Sequence, residues 1–173
     1  MNPALRVKIR PMTVADVDRV MEIAAGLPNT PQWPRKAYMD ALDPDFMPPR
    51  IALVAAQLKT EPLPPDPVIY EPMPDAILGY VVASLLPPQA ELEIVAVAAH
   101  SQRQGLGQRL LAELEELLRR ARIAEILLEV RASNQAAIGL YRRFGFNSSG
   151  LRTRYYVEPV EDAVMMARQI PAH

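Results

Sequence analysis

Proline breaks helices and inner strands, so where a chain places it limits where regular structure can form. This chain carries 18 prolines in 173 residues, roughly double ordinary usage. All but two lie at or before Pro88, and none falls between Pro88 and Pro159. The regular elements must therefore concentrate in the C-terminal half. The densest stretch, Pro62 to Pro74, reads as a loop insertion at about 59–76, stiffened by polyproline conformation between two strands.

Around that loop, periodicity predicts the elements. Leu5 to Arg10 alternates as a strand, and Thr13 with Asp16 forms a capping-box pattern that opens a helix through Val14, Val17, Val20, Met21 and Ala24. A short helix is expected from Pro34 to Leu42, and strands at Ile51–Ala56 and Ile77–Leu85. Leu92–Val97 is apolar on both alternating faces, as in a central strand covered on each side. From about Gly105, Leu106, Leu110, Leu111, Leu114, Leu117 and Leu118 draw one helical stripe. Glu115–Arg119 and Glu116–Arg120 are spaced as ion pairs on its wet face. A strand at Glu125–Val130, a helix from Ser133 to Phe144 stopped by Gly145, and strands near Phe146–Val157 and Asp162–Ile170 follow. This order predicts one mixed sheet with helices on both faces, including a parallel, right-handed strand–helix–strand unit.

Composition narrows the chemistry. Half the residues are apolar, enough for a core, and 19 Lys+Arg against 20 Asp+Glu leave a net charge of -1. No global basic field draws in nucleic acid or an anionic membrane. With no Cys there is no thiol nucleophile or thiolate metal site, and two His, expected to be exposed, are too few for a three-His centre. No metal is expected. The absence of a membrane-length apolar run and of a secretory leader points to a soluble cytoplasmic protein.

Three segments carry candidate chemistry. Gln102-Arg-Gln-Gly-Leu-Gly107 lies between a buried strand and an amphipathic helix, where free N–H groups and the helix dipole favour an anion. Gly105 and Gly107 would let a phosphate approach the main chain, or would simply make a tight turn. With Glu129 further on they also resemble half of a dinucleotide fingerprint, although Leu110 stands where its third glycine belongs. Glu129, closing an apolar strand, is either a base at a cleft or an ion-pair partner of Arg131. Asn134 can serve as helix cap, ligand, or both, and Tyr141 as packed aromatic or cleft phenol.

In combination, Val95-Ala-Val97, Gln102-Arg-Gln-Gly-Leu-Gly107, Leu128-Glu-Val-Arg-Ala-Ser-Asn134 and Ala137-Ile-Gly-Leu-Tyr-Arg-Arg-Phe-Gly-Phe146 resemble the GNAT superfamily of acetyl-CoA-dependent N-acetyltransferases. Within it, the Leu-Glu-Val-Arg-Ala-Ser-Asn run, Tyr141 and Tyr155-Tyr156 look like the bacterial ribosomal-protein alanine N-acetyltransferases, the RimI type. The match covers roughly Leu92 to Ile170. It implies a single α/β (α+β) domain over 1–173, with a mixed, mostly antiparallel sheet of six to seven strands.

The resemblance also implies roles. Val95, Ala96 and Val97 would pair by main chain with the pantetheine arm of acetyl-CoA. Arg103, Gln104, Gly105, Leu106, Gly107 and Gln108 would cradle its diphosphate, and Asn134 would contact it. Glu129 would be the general base, Tyr141 would protonate the departing thiolate, and Trp33 and Tyr156 would line the peptide entrance. Ala98-Ala99-His100-Ser101 and Pro31-Gln-Trp-Pro34 depart from the family's usual Asp-Pro turn and Phe-Pro-Trp-Ser entrance.

The implied acceptor is a protein N-terminus, with a ribosomal-protein alanine foremost. An α-amine is about 10% neutral at pH 7 whereas Lys is under about 0.1% neutral, so an N-terminal acceptor needs less help to attack. Acidic Glu158, Glu161 and Asp162 beside the implied entrance would favour a basic peptide. A small amine or Lys acceptor, a non-catalytic CoA sensor and a dinucleotide domain are the rivals.

Overall fold

The computed structural model describes residues 6–58 and 76–171. The proline-rich stretch 59–75 and His173 lie outside the described residues. The strands are β1 (Val7–Pro11), β2 (Arg50–Gln57), β3 (Ala76–Leu86), β4 (Gln89–Val97), β5 (Glu125–Arg131), β6 (Asn147–Val157) and β7 (Val160–Gln169). The helices are α1 (Val17–Ala25), α2 (Arg35–Leu42), α3 (Leu106–Arg120) and α4 (Gln135–Phe144). All seven strands join one sheet in the order β1-β2-β3-β4-β5-β7-β6. Only the β4–β5 pair is parallel, joined through α3.

Each face of the sheet has its own core. On one, Leu110, Leu111, Leu114 and Leu118 of α3 and Ile138 of α4 pack on Leu53, Val81, Leu92, Ile126 and Leu128. On the other, Val17 and Val20 of α1 and Tyr38 of α2 pack on Val54, Tyr80, Val82 and Ile94. Each fully buried leucine contributes about 2 kcal/mol, which is why the leucine stripe of α3 fixes that helix on the sheet. Gly145, in the left-handed region at φ +100°, ends α4 where the sequence predicts.

A bulge decides how β4 serves both cores. Leu92 pairs with Ala83 but Ile94 pairs with Val82, leaving Glu93 as the extra residue. Ala90 and Leu92 therefore face the α3 layer, while Ile94 and Ala96 face the α1–α2 layer. The continuous apolar run of the sequence reflects this exchange of faces.

Beyond the bulge, β4 and β5 part. Their pairing is limited to Gln89↔Glu125, Ala90↔Ile126 and Glu91↔Leu127. From there β4 continues beside β3 as far as Val97, and β5 continues beside β7 as far as Arg131. The β4 edge from Leu92 to Val97 thus has no strand partner on its β5 side.

Two local expectations are corrected. Glu115 does pair with Arg119 at 3.0 Å, but it is 7% exposed and also binds Arg168 at 2.7 Å, so it lies at the buried seam between α3 and β7. The helix expected from Ser133 begins at Gln135, with Asn134 as its cap.

Asp16 ties β1 to the start of α1. Its carboxylate accepts from Arg10 Nη1 and Nη2 at 2.7 and 2.9 Å, and from the Thr13 N–H and hydroxyl at 2.8 and 3.0 Å. Burial works against its ionised form, but these bonds outweigh burial and hold its pKa below the ordinary 3.8. Its stabilisation is therefore complete above that value and is lost as pH falls through the lower folded one. Asp16→Asn is expected to cost about 2 kcal/mol at neutral pH. In urea melts, the gap from wild type should close below pH 3.8.

Candidate active site

The parted strands and the start of α3 meet at one end of the sheet. Gln102 Nε2 donates to the Val97 carbonyl at 3.0 Å, tying the loop to the end of β4. Arg103 and Gly105 then turn the chain with φ of +59° and +78°. The first main-chain bond of α3 runs from the Arg109 N–H to Gly105 O at 3.1 Å, and no side chain caps the helix. The N–H groups of Leu106, Gly107 and Gln108 precede that bond and have no acceptor within the helix. They form the donor set a diphosphate needs.

The two glycines of this loop have different tasks. A Cβ on Gly105 would meet nothing within 4 Å, so this glycine both permits the left-handed turn and leaves the approach open. A Cβ on Gly107 would lie 3.0 Å from Leu140. Gly107 therefore lets α3 approach Leu140 of α4 closely.

Asn134 follows the end of β5, and its Oδ1 accepts the Ala137 N–H at 3.2 Å. Tyr141, on the buried side of α4, packs edge-on against Phe146 at 5.7 Å. Burial, then the neighbouring Tyr156, raises its pKa, so the phenol keeps its proton at neutral pH.

Glu129 projects from the other face of β5, since Ile126, Leu128 and Val130 fill the α3 layer. Its Oε1 forms an ion pair with Arg152, 3.0 Å from Nε. The ion pair with Arg131 expected from local spacing is not formed. Arg131 instead binds Glu161 at 3.2 Å and lies 4.1 Å over the Tyr156 ring. Strand spacing shows neighbours along one chain, whereas both true partners come from the β6–β7 hairpin.

Glu129 opens into a cleft of about 280 Å³, lined among others by Glu91, Leu127, Arg152, Tyr155 and Met165. Of the two adjacent tyrosines, Tyr155 lines this cleft, and Tyr156 lies half-buried beneath Arg131. An irregularity in β6 sets this arrangement. Between Arg152↔Ala163 and Tyr156↔Glu161, β6 advances four residues while β7 advances two. Arg154 takes φ +52° there, and its N–H donates to Asp162 Oδ1 at 2.8 Å.

Trp33 is not part of the cleft lining. It packs on Tyr38 at 5.4 Å, and the Arg50 guanidinium lies 5.7 Å from its ring. Two of the three acids expected to attract a basic peptide are already engaged. Glu161 holds Arg131 and the Ser133 N–H, and Asp162 holds Arg154. The cleft's own acids are Glu91 and Glu129. Glu91 and Arg152, and the role of Tyr155 in the cleft wall, escaped the sequence reading because only the strand order brings them beside Glu129. His100 is exposed, as expected.

The model of the acetyltransferase (GNAT) family matches residues 29–146, and the chain belongs to that family. Over 94 residues it is 42% identical to the ribosomal protein bS18-alanine N-acetyltransferase of Escherichia coli K12, a match covering 53% of this chain and 64% of that protein. It is likewise 42% identical over 96 residues to the N-alpha-acetyltransferase RimI of Mycobacterium tuberculosis, covering 53% of this chain and 59% of that one. The chain thus matches less than two thirds of either relative's length. The fold resembles the crystal structure of the ribosomal-protein-S18-alanine N-acetyltransferase from Escherichia coli, with TM-score 0.76, 27% identity, and coverage of 97% of this chain and 96% of that one.

The neighbouring Glu129 carboxylate, followed by burial, raises the Tyr155 pKa above its ordinary 10.0. In Glu129→Gln the charge disappears, and the phenol should titrate nearer its ordinary value. Ultraviolet titration of both proteins, with Tyr155→Phe identifying the signal, checks this.

Proposed function

We propose that this protein is an acetyl-CoA-dependent Nα-acetyltransferase acting on a protein N-terminal amine, with the N-terminal alanine of a ribosomal protein as its acceptor. The observation that carries this reading is the parting of β4 from β5 after Glu91↔Leu127. It leaves an unpaired strand edge whose far end adjoins the uncapped start of α3, with Glu129 on the opposite lip. The names of the relatives supply the acceptor, and a cytoplasmic location goes with it. Among the described residues no helix is long and apolar enough to cross a membrane.

The residues present fit acetyl-CoA. The β4 edge over Val95, Ala96 and Val97 offers main-chain groups to an amide-bearing arm, as a neighbouring strand would use them. Arg103 to Gln108 offer N–H groups and one guanidinium to a diphosphate. Asn134, at the start of α4, has amide donors left after its cap bond. The thioester supplies an acyl carbon open to direct attack.

On the acceptor side, Glu129 takes a proton from the incoming ammonium as the amine attacks. Such general-base help is commonly worth about 10²–10⁴ in rate. Tyr141 donates its phenolic proton to the departing thiolate. A β4 N–H polarises the carbonyl oxygen. Both substrates are held together, so no residue of this chain needs to carry the acetyl group.

Incubation with acetyl-CoA and peptides bearing free N-termini, with fragmentation mass spectrometry, tests the reading. Acetyl should appear on the α-amine of an alanine peptide, and its appearance on Lys or polyamines alone would refute the assignment. Glu129→Gln and Tyr141→Phe should each lower kcat by about 10²-fold with an unchanged circular dichroism spectrum.

A further inference from the structure

Most charged groups around the cleft are matched, and one is not. Arg152 is paired with Glu129 at 3.0 Å. Arg50 holds Glu93 through Nε at 2.8 Å and Nη2 at 3.1 Å. Gln89 donates to Glu125 at 2.6 Å. Glu91 lines the same cleft yet makes no hydrogen bond or ion pair among the described residues.

Its surroundings add to that imbalance. Partial burial, then Glu93 and Glu129, push the Glu91 pKa up, and Arg152 and Arg50 oppose this only in part. Glu91 is solvent-exposed at the cleft mouth, and with Glu129 it sets two carboxylates against the one guanidinium that lines the cleft, Arg152, so the lining is net negative. A cation arriving there would relieve it, whereas an anion would be repelled.

Register locates that cation. Glu91 occupies the last β4–β5 pair, opposite Leu127, and Glu129 lies two residues further along β5 on the same face. The two carboxylates are diagonal neighbours across the parallel pair. An extended peptide rises about 3.3 Å per residue, so with its amine at Glu129 a long side chain one or two residues behind reaches Glu91.

We infer that Glu91 is a specificity-determining residue that selects acceptor N-termini carrying Arg or Lys at the second or third position. This rests on the Nα-acetyltransferase reading and adds to it which N-termini are chosen. Apolar Leu127 and Met165 beside it accommodate the aliphatic stem of such a side chain.

The test uses the full chain, acetyl-CoA and three alanine-initiated hexapeptides that differ only at positions two and three, bearing two Arg, two Gln or two Glu. Wild type, Glu91→Gln and Glu91→Lys are compared by kcat and KM, with thermal melts verifying the fold. Wild type should prefer the Arg over the Glu peptide by at least about tenfold, mainly through KM, and added salt should shrink the preference. Glu91→Gln should flatten the ranking and Glu91→Lys should invert it. If the lysine variant fails to fold, the isosteric Gln variant decides alone. An unchanged ranking in the variants, or a loss shared equally by all three peptides, overturns the role of Glu91 while leaving Nα-acetylation standing. No acetylation of any peptide by wild type overturns both.

Discussion

A parallel pair of strands that stops pairing after three residues is the constraint on which the rest of the molecule depends. Main-chain groups cut off from partners cost about 1–3 kcal/mol each when dry, so a gap of this kind persists only if neither strand can close it. Here neither can. The β4 strand is held by β3 as far as Val97, and β5 is held by β7 as far as Arg131. The Glu93 bulge turns β4 so that its side chains exchange cores, and the leucines of α3 and the valines of α1 grip it from opposite sides. Closing the gap would mean unpacking one of these cores. The open edge is therefore built in by rigid neighbours, and it stands ready before any ligand arrives.

The same parting assigns chemistry to opposite faces. The start of α3, Asn134 and Tyr141 belong to the side covered by α3 and α4, while Glu91, Glu129, Arg152 and Tyr155 meet on the other side of β5. In the acetyl transfer we propose, an acyl donor and an amine acceptor would approach from two directions and meet where the strands separate. Under that proposal both reactants would be held together without a covalent intermediate on the protein, which suits a chain with no cysteine.

Elements whose cause is local were legible in the sequence. The leucine stripe of α3, the Gly145 stop of α4 and the acid at Asp16 each act within a few residues, and the structure places them as their spacing predicts. Features with a distant cause were not. The bulge at Glu93 is one extra residue measured against β3, which no pattern within β4 can reveal. Arg131 looked like the partner of Glu129 because they share a strand face, yet the hairpin beyond β5 supplies a better partner to each. Gly107 illustrates the converse. Its place in a glycine loop suggested a phosphate, and Leu140, 33 positions later, adds a packing reason for a small residue there.

The β6–β7 hairpin shows how an edge can carry precision despite its exposure. Nearly every residue of β6 is open to solvent, so burial alone gives its side chains little direction. Their orientation comes instead from two anchoring carboxylates. Asp162 fixes the left-handed Arg154, which turns Tyr155 and Arg152 toward Glu129. Glu161 fixes Arg131, whose guanidinium in turn covers Tyr156. Hydrogen bonds to ionised groups are shorter and stronger than neutral ones, so two carboxylates help to orient the Arg152 and Tyr155 that line the cleft and the Arg131 and Tyr156 stacked beside it. The acids of the hairpin thus shape the wall of the cleft, while the carboxylates that open into it, Glu91 and Glu129, come from the inner strands.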